Sequence, residues 1–553
     1  MPMKDQSRRE FLFQGGLALT GLAAASRLSP QAPKDSHIDP KLRGLMLDAA
    51  RVPEPLDYYR RVIDFCAEWQ LNAIQVRIAD DQGSAMRFPS LPDLVFHQHA
   101  FAPEQLHDLA QYGRSHGVDL IPEIESFGHT GFITRSPRYA HLLDDDPKLP
   151  SEFTGIIPVH PETLELFTKL YREVAAVFPS VYLHGGCDEV NWGGSALSRK
   201  ALATKQRYEI WGEYLNSLNS VAQGLGKQFI VWGDMVVRKE PRILPRLNKT
   251  IVVMDWDYVE TSSAELQQTL SKIRNHGSRA IGAPALINYQ WGPRAGKHQL
   301  ENIDAFADAY LGSEDAGSLG VILTNWVPSR YIQNSIWDGF AYAAVVFNQG
   351  TAIAQKSGFR RFVEKYYAAE WNQDWVEAFR LIYANAPEVN RRKAPDEAVP
   401  LEVPWSSDEQ LSASLAYPSP LADPFTRLHK VLLSLEKQVI KNHADFQAFL
   451  LSVAYLEHLY WRDEAVAKRP PSREDAASLI RNIADRDRTL AEALSKDWDQ
   501  GRFSDSAAKS KPLFGFEPKD QLVFQFQRAA DYSASLASHP DRFYQILTTS
   551  KPA

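Results

Sequence analysis

The sequence predicts an α/β protein, a (β/α)8 TIM barrel followed by an α-helical C-terminal region. Three observations carry that expectation. Eight short apolar runs alternate with longer helical patterns between residues 42 and 350, which is the pattern of parallel βα units. Eight such units are the number that closes a barrel. A doubly wound open sheet is the alternative, but no G-x-G-x-x-G follows the first run. Beyond about Gly350 the strand signals stop, and Leu, Ile and Ala recur at helical spacing.

The N-terminus comes first in chain order. Ser7-Arg8-Arg9-Glu10-Phe11-Leu12 is a twin-arginine pattern, followed by an apolar stretch from Leu17 to Leu22 and the small run Ala23-Ala24-Ala25. This is the layout of a bacterial twin-arginine export signal over residues 1–25, with cleavage just after the alanines and a periplasmic or extracellular destination. An amphipathic helix with a chance Arg pair is the plainer reading. The apolar stretch is shorter than the ~20 residues needed to span a bilayer, so no stable membrane anchor is expected. Residues 26–41 are polar and contain Pro, a linker.

Residues 42–350 are the expected barrel. The strand-like runs cover 44–47, 73–78, 118–124, 181–184, 229–232, 251–255, 280–287 and 321–325, with helical candidates such as 56–70, 103–116, 161–178 and 201–225 between them. Residues 351–553 form the mainly helical C-terminal region, with long helical stretches at 424–444 and 475–496 and Pro-rich breaks at 394–404 and 469–472.

Composition narrows the function. The 553 residues are 44% hydrophobic and 23% charged, which excludes disorder on a large scale. Lys and Arg total 61 against 68 Asp and Glu, a net charge of −7 that argues against nucleic acid as the main partner. Cys66 and Cys187 are the two cysteines, too few for a disulfide framework, and both are expected free. The 13 Trp, 21 Tyr and 27 Phe supply flat faces of the kind that carry sugar rings as well as cores.

In a barrel the catalytic groups belong at the C-terminal ends of the strands. The fourth strand ends Tyr182-Leu183-His184-Gly185-Gly186-Cys187-Asp188-Glu189. Successive side chains of a strand point to opposite faces, so Asp188 and Glu189 can serve one pocket only if the strand has already broken. Gly185-Gly186 supplies that break. Like charges a few ångströms apart raise one pKa, which would keep one member of the pair protonated as a general acid. An Asp-Glu pair capping the next helix is the structural alternative.

The other strand ends are similarly furnished. They read Asp48-Ala49-Ala50-Arg51, Asp80-Asp81-Gln82-Gly83, Glu123-Ile124-Glu125-Ser126-Phe127-Gly128-His129, Trp232-Gly233-Asp234, Asp255-Trp256-Asp257-Tyr258, Asn288-Tyr289-Gln290-Trp291 and Thr324-Asn325-Trp326. One Trp on an apolar run is usually core, but eight strand ends rimmed with Arg, carboxylate, His or Trp are hard to explain by packing.

Over about 42–350 the sequence resembles the family 20 glycoside hydrolases, the β-N-acetylhexosaminidases. The resemblance rests on the Gly-Gly-x-Asp-Glu of strand four, the Leu-Asp-x-x-Arg of strand one, the Asp-Asp-Gln-Gly of strand two and the Pro-Glu-Ile-x-x-x-Gly-His of strand three, in that order. The small α/β domain that usually precedes the barrel in that family has no room between signal and first strand.

The resemblance implies exo-acting, retaining, substrate-assisted hydrolysis of terminal β-linked N-acetylhexosamine from oligosaccharides or glycoconjugates. It implies Glu189 as the general acid and then base, and Asp188 as the group that holds the acetamido N–H. His129 with Asp80 would form a relay behind Glu189; a loop histidine bonded to a backbone carbonyl is the plainer reading. Arg51 would clamp sugar hydroxyls. Trp232, Trp256 and Trp326 would box the acetamido methyl and the sugar face, and Tyr289 would aim the acetamido oxygen.

Two positions depart from the family pattern. Tyr289-Gln290-Trp291 stands where Tyr-x-Asp is usual, and Trp326-Val327-Pro328 where Trp-x-Glu is usual. The missing carboxylates normally read the 4- and 6-hydroxyls, so selectivity between GlcNAc, GalNAc and 6-substituted sugars is left open. No His or Cys cluster has metal-ligand spacing, since His184 stands alone, and no cofactor is inferred. A barrel glycosidase of other sugar specificity or endo mode, and a non-catalytic sugar-binding barrel, are the alternatives.

Overall fold

The computed structural model describes residues 41–144, 155–288, 294–312, 317–385, 404–416, 422–503 and 522–550. The export signal expected over 1–25 lies outside the described residues, as do Tyr289 and Trp291.

Eight strands form the barrel: β1 (Leu42–Asp48), β2 (Ala73–Asp80), β3 (Asp119–Ile124), β4 (Tyr182–His184), β5 (Gln228–Trp232), β6 (Val252–Trp256), β7 (Ala280–Ala283) and β8 (Ser318–Asn325). Each pairs in parallel with the next. The sheet closes because β1 also pairs with β8, Leu45 standing opposite both Ile74 and Leu323.

Period-two alternation divides the apolar residues between two cores. Along β5, Ile230 and Trp232 point inward while Phe229 and Val231 face the helices; along β6, Val252 and Met254 point inward and Val253 outward. Both faces are buried, so these strands read as continuous apolar runs rather than alternating ones. The helices turn one apolar face to the sheet. In Pro161–Val177 that face is Leu166, Leu170, Tyr171, Val174 and Val177, with Pro at the first turn and the His160 ring accepting the Glu162 N–H at 3.2 Å.

The structure differs from the sequence reading in three places. Gly83–Met86 pairs antiparallel with β2, and Phe96–Phe101 pairs with it in turn, an excursion whose sequence, FHQHAF in the second strand, has no apolar run to announce it. The run 280–287 is two strands, β7 and Ala285–Ile287, because Pro284 between them has no N–H to give the ladder. The stretch 424–444 is not one helix: Ala422–Leu435 ends, and His443–Ala467 begins after Asn442 at φ 53°.

Among the described residues no strand follows β8. The C-terminal region is helical, its longest element being Arg473–Gly501, capped by the Ser472 hydroxyl on the Asp475 N–H at 3.1 Å. No helix among the described residues is long and apolar enough to cross a membrane.

Candidate active site

The site is built from the strand ends. Strand β4 stops at His184. Gly186 (φ 64°), Cys187 (φ 74°) and Glu189 (φ 46°) then lie in the left-handed region, so the chain turns sharply under the Asp-Glu pair. The carboxylate of Glu125, just beyond β3, sits inside this turn and accepts the Cys187 N–H at 3.0 Å. A Cβ on Gly186 would lie 2.0 Å from that carboxylate, so glycine is required there by space as well as by φ.

The turn brings both carboxylates of the pair to one imidazole. His129 Nε2 lies 3.4 Å from Glu189 Oε2 and 3.8 Å from Asp188 Oδ2. Its Nδ1 lies 3.3 Å from Asp80 Oδ1 and equally far from Asp81 Oδ2. Gly128, before it, permits the approach: a Cβ there would lie 2.2 Å from the Asp188 carbonyl oxygen. Asp188 is buried, whereas the Glu189 side chain is 36% exposed and open to a ligand.

Arg51 joins this chain of charges, its Nη1 at 2.9 Å from Asp48 and its Nη2 at 3.0 Å from Asp80. Arg77, inside the barrel, donates to Asp80 at 2.6 Å and to Glu123 at 3.1 Å, and pairs with Glu125 at 2.9 Å. Sequence reasoning assigned Arg77 no role. Its signal was a charged residue within an apolar strand run, which can be buried only where carboxylates meet it.

Burial works against ionised His129, but the carboxylates of Asp80 and Asp188 outweigh it and raise the imidazole well above its ordinary value. Burial likewise disfavours charged Asp80, yet Arg51, Arg77 and His129 hold it well below. Burial raises Glu189, but the hydrogen bond and charge of His129, with Lys239 and Arg51, more than offset it and hold that carboxyl below the ordinary range. The expectation that the acid of the pair is raised is not met at Glu189: its shift runs downward, favouring the ionised form, while that of His129 runs upward, favouring the protonated form. The raised carboxyls stand behind the pair. Glu125 is pushed well above its usual value by burial and Asp188, and Asp234, which accepts the Glu189 N–H at 3.4 Å, is pushed up to about 6 by burial and Asp188.

The aromatic residues line the barrel mouth. Trp232 donates its Nε1–H to Glu123 at 2.8 Å and packs against Trp326 at 5.6 Å between ring centroids. Trp326 donates to the Tyr258 hydroxyl at 2.7 Å, and Tyr258 stacks on Trp256 at 4.9 Å. The three expected tryptophans are thus linked through Tyr258, a residue without an assigned role in the sequence reading. Tyr289 and Trp291 have no described geometry. His184 accepts the Gly186 N–H at 2.9 Å and lies beside Trp232 at 4.6 Å, a structural role in the turn. Two triads, Asp80–Asp81–His129 and His129–Asp188–Glu189, bring ligand atoms within 4.8 Å of one another. Both share His129, whose imidazole is raised by these carboxylates, chiefly Asp80 and Asp188, against the cost of burial.

Comparison with known proteins finds likenesses over the barrel. Residues 41–306 match the model described as "Glycosyl hydrolase family 20, catalytic domain". A β-hexosaminidase of Vibrio furnissii is 28% identical over 252 residues, 39% of this chain and 40% of that protein. The β-hexosaminidase subunit beta of Rattus norvegicus is 26% identical over 267 residues, 45% of this chain and 46% of that one. The chain thus spans less than half the length of these two relatives. Among solved structures, a Flavobacterium johnsoniae chitobiase aligns at 19% identity and a TM-score of 0.49, over 80% of this chain and 74% of that one. The match over residues 41–306 takes in strands β1 to β7 of the barrel, and it is to that catalytic domain that this part of the chain is similar.

Proposed function

We propose that the chain is an exo-acting, retaining β-N-acetylhexosaminidase that releases terminal β-linked N-acetylhexosamine through an oxazolinium intermediate. The observation that carries this reading is the convergence of Asp188 and Glu189 on His129, with Asp80 behind it.

That geometry, with the family resemblance, supports the following mechanism. The substrate's acetamido oxygen attacks C1 as the bond from C1 to the glycosidic oxygen breaks, and that bond's electron pair goes to the leaving oxygen. Glu189 protonates the leaving oxygen. Its proton comes from His129 when a bound sugar displaces water from the open carboxylate, because desolvation favours the neutral acid. Asp80 holds the imidazole by its other nitrogen. Asp188 accepts the acetamido N–H and balances the positive charge of the oxazolinium ring. Water then adds at C1 and gives its proton to the Glu189 carboxylate as the ring opens, so the product keeps the β configuration. Arg51 binds sugar hydroxyls; Trp232, Trp256 and Trp326 enclose the acetamido methyl and sugar face; Tyr289 orients the acetamido oxygen. The twin-arginine pattern at Arg8-Arg9 supports export to the periplasm or beyond, where glycans ending in N-acetylhexosamine are the substrates.

Hydrolysis of a chromogenic β-N-acetylglucosaminide beside the plain β-glucoside tests the reading. Turnover of the first and not the second is expected, with competitive inhibition by a thiazoline analogue of the oxazolinium. Equal turnover of both would remove the acetamido group from the mechanism.

A further inference from the structure

The end of the long helix Arg473–Gly501 touches the barrel at its catalytic mouth. Arg502 is 6% exposed, and its Nε lies 3.0 Å from Oε1 of Glu54, in the loop that leaves β1 just after Arg51. Its Nη2 donates to the Pro328 carbonyl at 2.7 Å, in the loop that follows Trp326. The ring of Phe503 stacks on His99 at 4.1 Å with the planes 10° apart. On the same short strand, His97 Nε2 meets the Ala50 carbonyl at 2.5 Å. One dipeptide from the C-terminal region therefore reaches the three segments that carry or brace Arg51 and Trp326.

The loop after β8 needs such support. Val327 is at φ 51°, a conformation that a β-branched residue avoids unless its surroundings hold it there. Its N–H is held by Asp48 Oδ2 at 3.1 Å, the same carboxylate that pairs with Arg51. The next carbonyl, that of Pro328, is held by Arg502. Glu54 in turn is buried, its carboxyl pushed up to about 7 by burial against the pull of Arg502.

We propose that Arg502, supplied by the C-terminal helical region, is a positioning residue of the active site: bridging Glu54 and the Pro328 carbonyl, it fixes the β1 and β8 loops so that Arg51 and Trp326 stand at the spacing the terminal sugar requires. This rests on the hexosaminidase reading. Arg502 acts through Arg51 and Trp326 and not on the reacting atoms, so its loss falls on sugar binding rather than on proton transfer by Glu189. A fork with two separated nitrogens serves both acceptors at once; a lysine ammonium can answer Glu54 but not hold both in that geometry.

The test uses the full chain with Arg502→Met, Arg502→Lys and Phe503→Ala, measuring KM and kcat on the chromogenic N-acetylglucosaminide beside thermal stability. A misplacement of about 1 Å can cost about 10²-fold. Arg502→Met is expected to raise KM by about tenfold or more with kcat within about threefold, the signature of lost binding. Arg502→Lys is expected to recover the melting temperature through Glu54 while KM stays raised, and Phe503→Ala to raise KM less. Should Arg502→Met fail to fold, the other two variants decide. KM that tracks melting temperature across the series, or KM unchanged in Arg502→Lys, would make Arg502 a stability residue only and overturn the inference. An active wild type with unchanged variants overturns this inference alone; a wild type inert toward the glycoside overturns the hexosaminidase reading and this one with it.

Discussion

Nε2 of His129 stands 3.4 Å from Oε2 of Glu189 while the opposite ring nitrogen stands 3.3 Å from Asp80. One imidazole thus separates a carboxylate that is open to ligand from one that is sealed in the barrel. The sealed side stabilises the imidazolium through Asp80, itself held ionised by Arg51 and Arg77. The open side faces Glu189. The two opposite shifts favour a proton on the imidazole nitrogen, 3.4 Å from the carboxylate assigned to deliver it.

Because Glu189 is assigned the delivery of that proton, Glu189→Gln should lose activity by about 10²–10⁴-fold on glycosides with poor leaving groups. The loss should shrink on activated phenyl glycosides, whose leaving oxygen needs little help. Measuring kcat/KM across a leaving-group series checks this. A uniform loss along the series would take the acid role away from Glu189.

The pH profile should belong to the His129–Glu189 pair and not to either group alone. The working form carries one proton on the pair. Its alkaline limb is loss of that proton, which His129, raised above the ordinary 6.5, carries to higher pH. His129→Asn removes the imidazole, so the variant works only while Glu189 itself is protonated. The alkaline limb of kcat/KM should therefore fall to a more acidic pH. An alkaline limb that stays in place in His129→Asn would show that another group sets it.

Gly186→Ala should be destabilising even though it adds only a methyl group. The new Cβ would lie 2.0 Å from the Glu125 carboxylate, at a φ of 64° that L side chains rarely adopt. Strained backbone of this kind costs about 1–3 kcal/mol, before the displacement of Glu125 is counted. Denaturant unfolding should report a loss in that range or beyond, together with reduced kcat because the turn carries Asp188 and Glu189. Wild-type stability would mean that the turn relaxes in a way the close approach of Glu125 does not suggest.

Specificity should be relaxed at the far side of the sugar. The strand-eight position that is usually a carboxylate is Pro328, whose carbonyl is already engaged by Arg502. A buried acceptor can reject an analogue lacking its hydroxyl by about 10⁴-fold, whereas an apolar wall discriminates by only about 10–200-fold. GlcNAc and GalNAc glycosides, or a 6-substituted GlcNAc glycoside, should therefore differ in kcat/KM by no more than the smaller range. A preference for unsubstituted GlcNAc over both by more than about a thousandfold, roughly 4 kcal/mol, would mean that other residues read these hydroxyls.

The sequence by itself determined the eight strands, their order and the exits that carry Asp80, His129 and the Asp188-Glu189 pair. Those features are written in local patterns: an apolar run buried on both faces and a Gly-Gly break that releases a strand. It left out the excursion at Gly83–Met86 and Phe96–Phe101, whose polar sequence becomes strand only because β2 offers it an edge. The charge state of the site was decided by the tertiary structure alone. Adjacent in sequence, Asp188 and Glu189 looked like the pair that sets its own pKa values. In the fold, Glu189 answers first to burial and then to His129, Lys239 and Arg51, which come from three other strand ends. Arg77 and Arg502 acquire their roles in the same way, from carboxylates and carbonyls distant in the chain. A pKa is a sum of desolvation and charge interactions that depend on burial and through-space distance, and neither quantity is defined until the barrel has closed.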